Sequence, residues 1–298
     1  MANTALITEE TNNRRKFLQY MPILGGAVMA TPWMASSANA QGAASAHEAA
    51  KSQTTTSSGA SLPTKWQGSE QIAMLIYPEF TAIDLVAPQY FLAGLMGAKV
   101  HLVAASRDPV KTDTGLVFVP SMTLDECPRD LDMLFIPGGT RGTVNVMRDK
   151  SLINWIAATG HRAKLVASVC TGSMILAQAG LLRGKRATSH WVTREILRQF
   201  GAIPVNERVV WDGNVVTGAG VSAGIDLGLA ISARLRDDTY AQAQQLLAEY
   251  APRPPFHSGT PETAPSNVFE LVNGRFESLR TQMVECARDS LGASSHDV

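Results

Sequence analysis

Between Lys164 and Ala179 the chain reads Lys-Leu-Val-Ala-Ser-Val-Cys170-Thr-Gly-Ser-Met-Ile-Leu-Ala-Gln-Ala. A β-branched apolar run of this kind suits a central strand of a parallel sheet, and Met174, Ile175, Leu176 and Ala179 supply an apolar helix face. No loop separates the two. A chain can turn that sharply only where small residues flank the corner, and Ser168 and Gly172 stand two residues to either side of Cys170. This is the strand-turn-helix logic of a nucleophile elbow, with cysteine in the place hydrolases give to serine. Such a corner lifts Sγ over the carboxyl edge of the sheet and sets it at a helix N-terminus, where free N–H groups and the helix dipole favour a thiolate. The plainer alternative is a buried, inert thiol, since free cysteine is among the most buried residue types.

The 298 residues are 45% hydrophobic and 17% charged, with 26 basic against 26 acidic side chains, so nothing in the net charge favours a nucleic-acid partner. Residues 1–40 are set aside as a leader. Arg14 and Arg15 stand in the run Asn13-Arg-Arg-Lys-Phe-Leu-Gln19, a moderately apolar stretch follows, and Ala38-Asn-Ala40 offers a small-x-small cleavage site. This is the pattern of a twin-arginine signal peptide, and it predicts export of the folded protein to a periplasm. The apolar stretch is shorter than the roughly 20 residues of a spanning helix, so no stable membrane insertion is expected once the leader is removed. Residues 41–68, rich in Ala, Ser, Thr and Gly, are expected to form a flexible linker. Three cysteines, Cys127, Cys170 and Cys286, cannot all pair within one chain. Cys127 and Cys286 could bond to each other, and spacing alone does not decide it. No metal-binding Cys/His cluster is apparent.

Beyond the linker, strands are expected at 71–77, 99–105, 132–136 and 165–169, with an extended piece at 116–119. Helices are expected at 80–96, 144–159 and 171–179, then a short strand at 186–189 and a helix at 191–200. Asp212-Gly213 between two β-branched runs is a strong hairpin signal. Further helices are expected at 222–235 and 241–250, a proline-rich extended arm at 251–265, and a single amphipathic helix from 267 to 291 within a C-terminal extension, 266–298. Strands that are continuously apolar and alternate with helices give an α/β fold: a doubly wound, mostly parallel sheet with helices on both faces. Its ligand site lies beyond the carboxyl ends of the strands, where Tyr77, Gly138, Gly139 and Cys170 all fall.

A thiol needs a neighbour to set its protonation and donors to hold developing charge. The Thr171 N–H and those of Gly138 and Gly139 are candidate donors, although the glycines alone equally suit a tight turn. Asp84, set in Phe80-Thr-Ala-Ile-Asp-Leu-Val-Ala-Pro88, is an acid among apolar residues, and either a catalytic proton carrier or a helix cap. His190 could orient the thiolate, cap the next helix or bond within the core. Thr171 could offer its hydroxyl to a substrate or merely occupy the first helical turn.

Residues 71–265 resemble the ThiJ/PfpI branch of the class I glutamine amidotransferase-like superfamily. The match is carried by Tyr77-Pro78, Asp84-Leu85 and Pro88, Phe135-Ile-Pro-Gly-Gly139, Ser168-Val-Cys-Thr-Gly172 and Ala179-Gly-Leu-Leu-Arg-Gly184. It continues through Thr188-Ser-His-Trp191, Asp212-Gly-Asn214, Thr217-Gly218, Ala223-Gly-Ile-Asp226, Tyr250-Ala-Pro252, Pro254-Pro-Phe256 and Ser258-Gly-Thr-Pro-Glu-Thr-Ala264. Within that branch the chain is similar to the isonitrile hydratases. The resemblance implies a flavodoxin-like domain over 69–265, a homodimer, and Cys170 as nucleophile, with Asp84 its paired acid and Thr171 a further functional residue. Beside these, Gly138, Gly139 and His190 are the candidate substrate- or oxyanion-binding residues from their positions in the chain. The implied reaction hydrates a small-molecule isonitrile to an N-substituted formamide with no metal and no other cofactor. Other activities of the branch, on reactive carbonyls or on amide and peptide bonds, stay open, as does a cysteine that serves as a reversible redox sensor or a ligand-binding module.

Overall fold

A computed structural model of the chain describes residues 63–294, with side chains as far as 289. The expected leader and the linker up to residue 62 lie outside the described residues. Eleven strands are described: β1 (Gln71–Leu75), β2 (Lys99–Ala104), β3 (Val110–Lys111), β4 (Val117–Phe118), β5 (Met122–Thr123), β6 (Met133–Ile136), β7 (Leu165–Val169), β8 (Arg186–Ala187), β9 (Ile203–Pro204), β10 (Val209–Asp212) and β11 (Val215–Gly218). The α-helices are α1 (Ala82–Ala93), α2 (Arg141–Arg148), α3 (Lys150–Arg162), α4 (Gly172–Gln178), α5 (Ala223–Leu235), α6 (Asp238–Leu247), α7 (Ser266–Arg275) and α8 (Glu277–Ser294).

Seven strands form one sheet in the order β10-β11-β7-β6-β1-β2-β5, parallel throughout except where β10 returns against β11. The centre of that order explains the sequence pattern. Strands β1, β6 and β7 are covered by helices on both faces, and every residue from Met133 to Ile136 and from Leu165 to Val169 is buried. The expected Asp-Gly hairpin joins β10 to β11, and Gly213 turns it with φ 62°. Helix α1 lies against α5 at close quarters, because a Cβ on Gly228 would stand 2.8 Å from the Phe91 ring.

Some elements differ from their expected form. The helix expected at 144–159 begins at Arg141 and is broken at Asp149, whose backbone is extended and whose carboxylate caps α3 by accepting from the Leu152 N–H at 3.0 Å. Residues 194–200 form a 3₁₀ helix rather than an α-helix. The C-terminal helix is two, split at Phe276, and α8 is no free extension: Leu279, Met283, Cys286 and Ala287 are buried in the main core. The last residues of the expected linker are also held, since the Trp66 indole donates to Asp237 Oδ2 at 2.8 Å and meets the Tyr240 ring edge-on. Cys127, Cys170 and Cys286 are all free thiols, so no Cys127–Cys286 bond forms. No described helix is long and apolar enough to cross a membrane.

Candidate active site

Cys170 is the corner between β7 and α4, and its φ of 57° places a non-glycine residue in the left-handed region. Strain of that sort persists only where the surroundings hold it. The Cys170 N–H is held by the carbonyls of Gly218 and Ala219, and its carbonyl accepts from the Ser173 and Ser189 hydroxyls at 3.1 and 3.0 Å. Gly172 is required there, because a Cβ would come within 2.3 Å of the Ile136 carbonyl. The thiol that results is 5% exposed.

Asp84 reaches the same place from the first turn of α1. The Thr81 N–H bonds to the Gly138 carbonyl at 2.9 Å, which ties the start of that helix to the turn after β6. The carboxyl is wholly buried and accepts from the Gly138 N–H at 3.1 Å through Oδ2, while Oδ1 finds no partner of ordinary hydrogen-bond geometry. Burial is the main cause that lifts its pKa to about 7, and the opposing contacts from Cys170 and the Gly138 amide only partly offset it. The Cys170 thiol is pushed well above its usual value, first by burial and then by the Asp84 charge. The thiolate expected from the helix N-terminus is therefore not the resting form. Desolvation outweighs what a helix of seven residues can offer.

Thr171 is placed by a small hydroxyl network. Its Oγ1 donates to the Gly139 carbonyl at 2.5 Å, accepts from the Gly139 N–H at 2.9 Å and lies 2.9 Å from the Thr143 hydroxyl. Both glycine amides anticipated as substrate donors thus hold protein side chains: Gly138 holds Asp84, and Gly139 holds Thr171. The reason for glycine at 138 is steric, since a Cβ would stand 2.6 Å from the Thr171 nitrogen and 2.7 Å from Asp84 Oδ2. The Thr171 N–H is directed at the sulfur, where it favours ionisation.

His190 does not join this group. Among the described residues no hydrogen bond links it to Cys170, Asp84 or Thr171. It lines an adjoining cavity of 540 Å³ together with Ser189, Trp191, Ala219, Gly220 and the turn at 259–262. Ser189 and Ala219, both bonded to the Cys170 backbone, form the shared wall. The imidazole packs against the rings of Trp191 and Phe276, and burial lowers its pKa to about 4. At neutral pH it is an uncharged ring, with Nδ1 accepting from the Val192 N–H at 3.3 Å. Residues 251–258 of the proline-rich arm are irregular and exposed, and the turn at its far end lines this cavity. No group of three His, Cys, Asp or Glu among the described residues could hold a metal ion.

Thr143 and Tyr77 belong to the site although sequence reasoning did not single out their side chains. Tyr77 has a strand-end position and a place in the Tyr77-Pro78 resemblance as its signals, with nothing to mark its hydroxyl, and a lone threonine in Arg141-Gly-Thr-Val144 carries no signal of its own.

Residues 70–234 match the DJ-1/PfpI family. Isonitrile hydratase from Pseudomonas putida is 44% identical over 224 residues, 74% of this chain and 97% of that protein. A deglycase from Pyrococcus horikoshii is 29% identical over 148 residues, 49% of this chain and 88% of its own. The crystal structure of a ThiJ/PfpI family protein from Pseudomonas syringae superposes with a TM-score of 0.74 at 50% identity, covering 74% of this chain and 92% of that one. The parallel sheet, the strained cysteine corner and these matches agree, and the chain belongs to the DJ-1/PfpI family.

Proposed function

We propose that this chain is a cysteine-dependent hydratase that converts a small isonitrile to an N-substituted formamide. The observation that carries the reading is a buried thiol at a strained corner, enclosed with a carboxyl that titrates near 7. A group with that pKa can both take and return a proton at neutral pH. The 44% identity to an isonitrile hydratase supplies the substrate class.

In this mechanism the pair holds one proton, on sulfur, and Asp84 is ionised. As Sγ bonds to the terminal carbon of R–N≡C, Asp84 takes the thiol proton and delivers it to that carbon, giving the thioimidate R–N=CH–S–Cys170. Asp84, again ionised, takes a proton from water as the oxygen adds to the same carbon and passes it to the nitrogen, giving R–NH–CH(OH)–S–Cys170. Collapse breaks the C–S bond, moves the hydroxyl proton to sulfur by way of Asp84 and releases R–NH–CHO. The sum is isonitrile plus water to formamide. Thr171 steadies the sulfur through its N–H, and His190 faces the adjoining cavity as a neutral group for the substrate's remaining atoms.

Residues 1–40 export the folded enzyme to the periplasm. A second copy of the chain covers the exposed apolar side chains Ile83, Val86 and Tyr90 of α1 and Leu247 of α6. The test is chromatographic: residues 41–298, Cys170→Ala and Asp84→Asn are each incubated with an aliphatic isonitrile, a cyclic isonitrile and methylglyoxal. Formamide made by the parent and by neither variant supports the hydratase. Lactate without formamide moves the activity to carbonyl substrates, and no product with a readily and reversibly oxidised Cys170 leaves a sensor.

A further inference from the structure

Behind Thr171 stand two buried hydroxyls that the mechanism does not use. Thr143 Oγ1 lies 3.0 Å from the Gly139 carbonyl, 2.9 Å from Thr171 Oγ1 and 3.3 Å from the Tyr77 hydroxyl. Tyr77 donates its own proton to the Pro137 carbonyl at 2.8 Å, so it can only accept from Thr143. Thr143 and Tyr77 are 0% and 3% exposed, which leaves no solvent to replace a lost partner. The Gly139 carbonyl therefore has two possible hydroxyl donors, Thr143 and Thr171, and needs one.

This has a consequence for the sulfur. Thr171 follows Cys170 directly in the chain, and its side chain acts on the thiol in the sense that favours ionisation, but a hydroxyl has one proton to give. While Thr171 donates to the Gly139 carbonyl it cannot donate to sulfur. We propose that Thr143 is a positioning residue: by donating to the Gly139 carbonyl it releases the Thr171 proton toward Cys170 when the thiol ionises. The step is a rotation of two hydroxyls with no proton changing owner. The Tyr77 hydroxyl is a second acceptor within reach of the Thr143 proton, but it lies 3.3 Å away against 3.0 Å for the Gly139 carbonyl, so the carbonyl is the nearer acceptor. Without the Thr143 hydroxyl, a Thr171 that turned to the sulfur would leave a buried carbonyl unpaired, and that cost opposes the turn.

The inference rests on the cysteine-centred reading of the site, and its test does not need an isonitrile. Alkylation of residues 41–298 by iodoacetamide at pH 8.5, resolved by peptide mass spectrometry, reads the ionised fraction of Cys170, with the half-buried Cys127 in the same digest as reference. Thr143→Val is expected to slow Cys170 about tenfold, the effect of one pH unit in the thiol pKa, and Thr143→Ser to restore it. Thr171→Val is expected to slow it as well, and Thr143→Val with Thr171→Val to be no slower than Thr171→Val alone, since Thr143 acts through Thr171. If Thr143→Val does not fold by thermal melting, Thr143→Ala carries the same comparison. An unchanged rate in the variant lacking the hydroxyl, or a double variant slower by the product of the two single effects, overturns the proposal. Retained alkylation differences in a protein that turns over no isonitrile would sink the hydratase reading and leave Thr143 in place.

Discussion

Cys170 and Cys286 are two free thiols with nearly the same exposure, 5% and 3%, and burial raises the pKa of both. Their neighbourhoods differ. Cys286 sits on α8, among Leu279, Met283 and Ala287, and the group that opposes its burial is the Arg148 guanidinium across on α2. Cys170 sits at φ 57° against a buried carboxyl that raises its pKa further. By pKa alone Cys286, beside a cation, is the easier thiol to ionise. What distinguishes the Cys170 neighbourhood, and what the proposed function draws on, is a backbone that aims the sulfur and an acid able to take its proton. The sharpest way to break this comparison is to delete each sulfur. Cys170→Ala is expected to lower isonitrile turnover by about 10⁴-fold or more, and Cys286→Ala to leave kcat/KM unchanged. Equal loss in both would show that enclosure and not geometry makes the site.

The acid gives the next largest effect. Asp84→Asn is expected to lower kcat by about 10²- to 10⁴-fold, the range for loss of a proton carrier. For the parent, the pair must lose one of its two protons before it can act, so kcat/KM should rise through pH 7 and stay level into alkaline pH, because the second proton leaves well above 9. The same variant should become easier to alkylate at Cys170, since the negative charge that opposed the thiolate is gone. Stability should move the other way from activity. A carboxyl whose folded pKa is raised from 3.8 to about 7 binds a proton more tightly folded than unfolded, so its contribution falls as pH climbs through that window. Asp84→Asn should accordingly melt higher than the parent at pH 8, with a smaller gap at pH 5. A parent protein whose melting temperature does not fall between pH 5 and pH 8 relative to Asp84→Asn would contradict the burial argument.

The two cysteine neighbourhoods were also unequally legible in the sequence. A β-branched strand running without a loop into Cys170-Thr-Gly gives the corner, because only one local geometry suits those residues. Asp84 among apolar neighbours gives a costly carboxyl. The sheet follows from strands with no polar alternation, and Asp212-Gly213 gives the hairpin. What did not show was anything that depends on which surfaces meet. The thiol pKa could not be read, since a helix N-terminus predicts a fall and only the tertiary enclosure reveals that burial wins. The partners of the Gly138 and Gly139 amides, and the contacts of Thr143, arise where β6, α1, α2 and α4 converge. The last helix splits at Phe276, whose ring lies against His190, a contact no sequence spacing announces. Asp149 is different: an Asp directly before a helical run is a legible cap, but the apolar spacing continues across it and masks the break.

Gly138 tests how tightly the reactive neighbourhood is built. Gly138→Ala places a Cβ against backbone nitrogen and a carboxyl oxygen, neither of which is the end of a flexible side chain. The expected cost is about 1–3 kcal/mol of stability, with turnover lost beyond what that destabilisation explains, because the shift displaces Asp84 and Thr171 together. Calorimetry beside steady-state kinetics reads both, and a stable, active Gly138→Ala would mean that the two side chains are not held where the hydrogen bonds place them.

The smallest effect belongs to the other thiol, and it is the one that defines the comparison. Cys286 packs with Met283 and Ala287 as α8 closes on α2 and on the 3₁₀ helix at 194–200. Deleting its sulfur removes one buried atom and leaves a void that the neighbouring side chains fill only in part. Loss of a single buried heavy atom costs about 1 kcal/mol. Cys286→Ala should therefore lower the denaturant midpoint slightly with no change in slope, while Cys286→Ser should cost more, because its hydroxyl brings a desolvation penalty that sulfur does not. If serine were tolerated as well as alanine, the α8 face would be wetter than its burial implies, and the contrast between the two thiols would then rest on the Asp84 carboxyl and the strained corner alone.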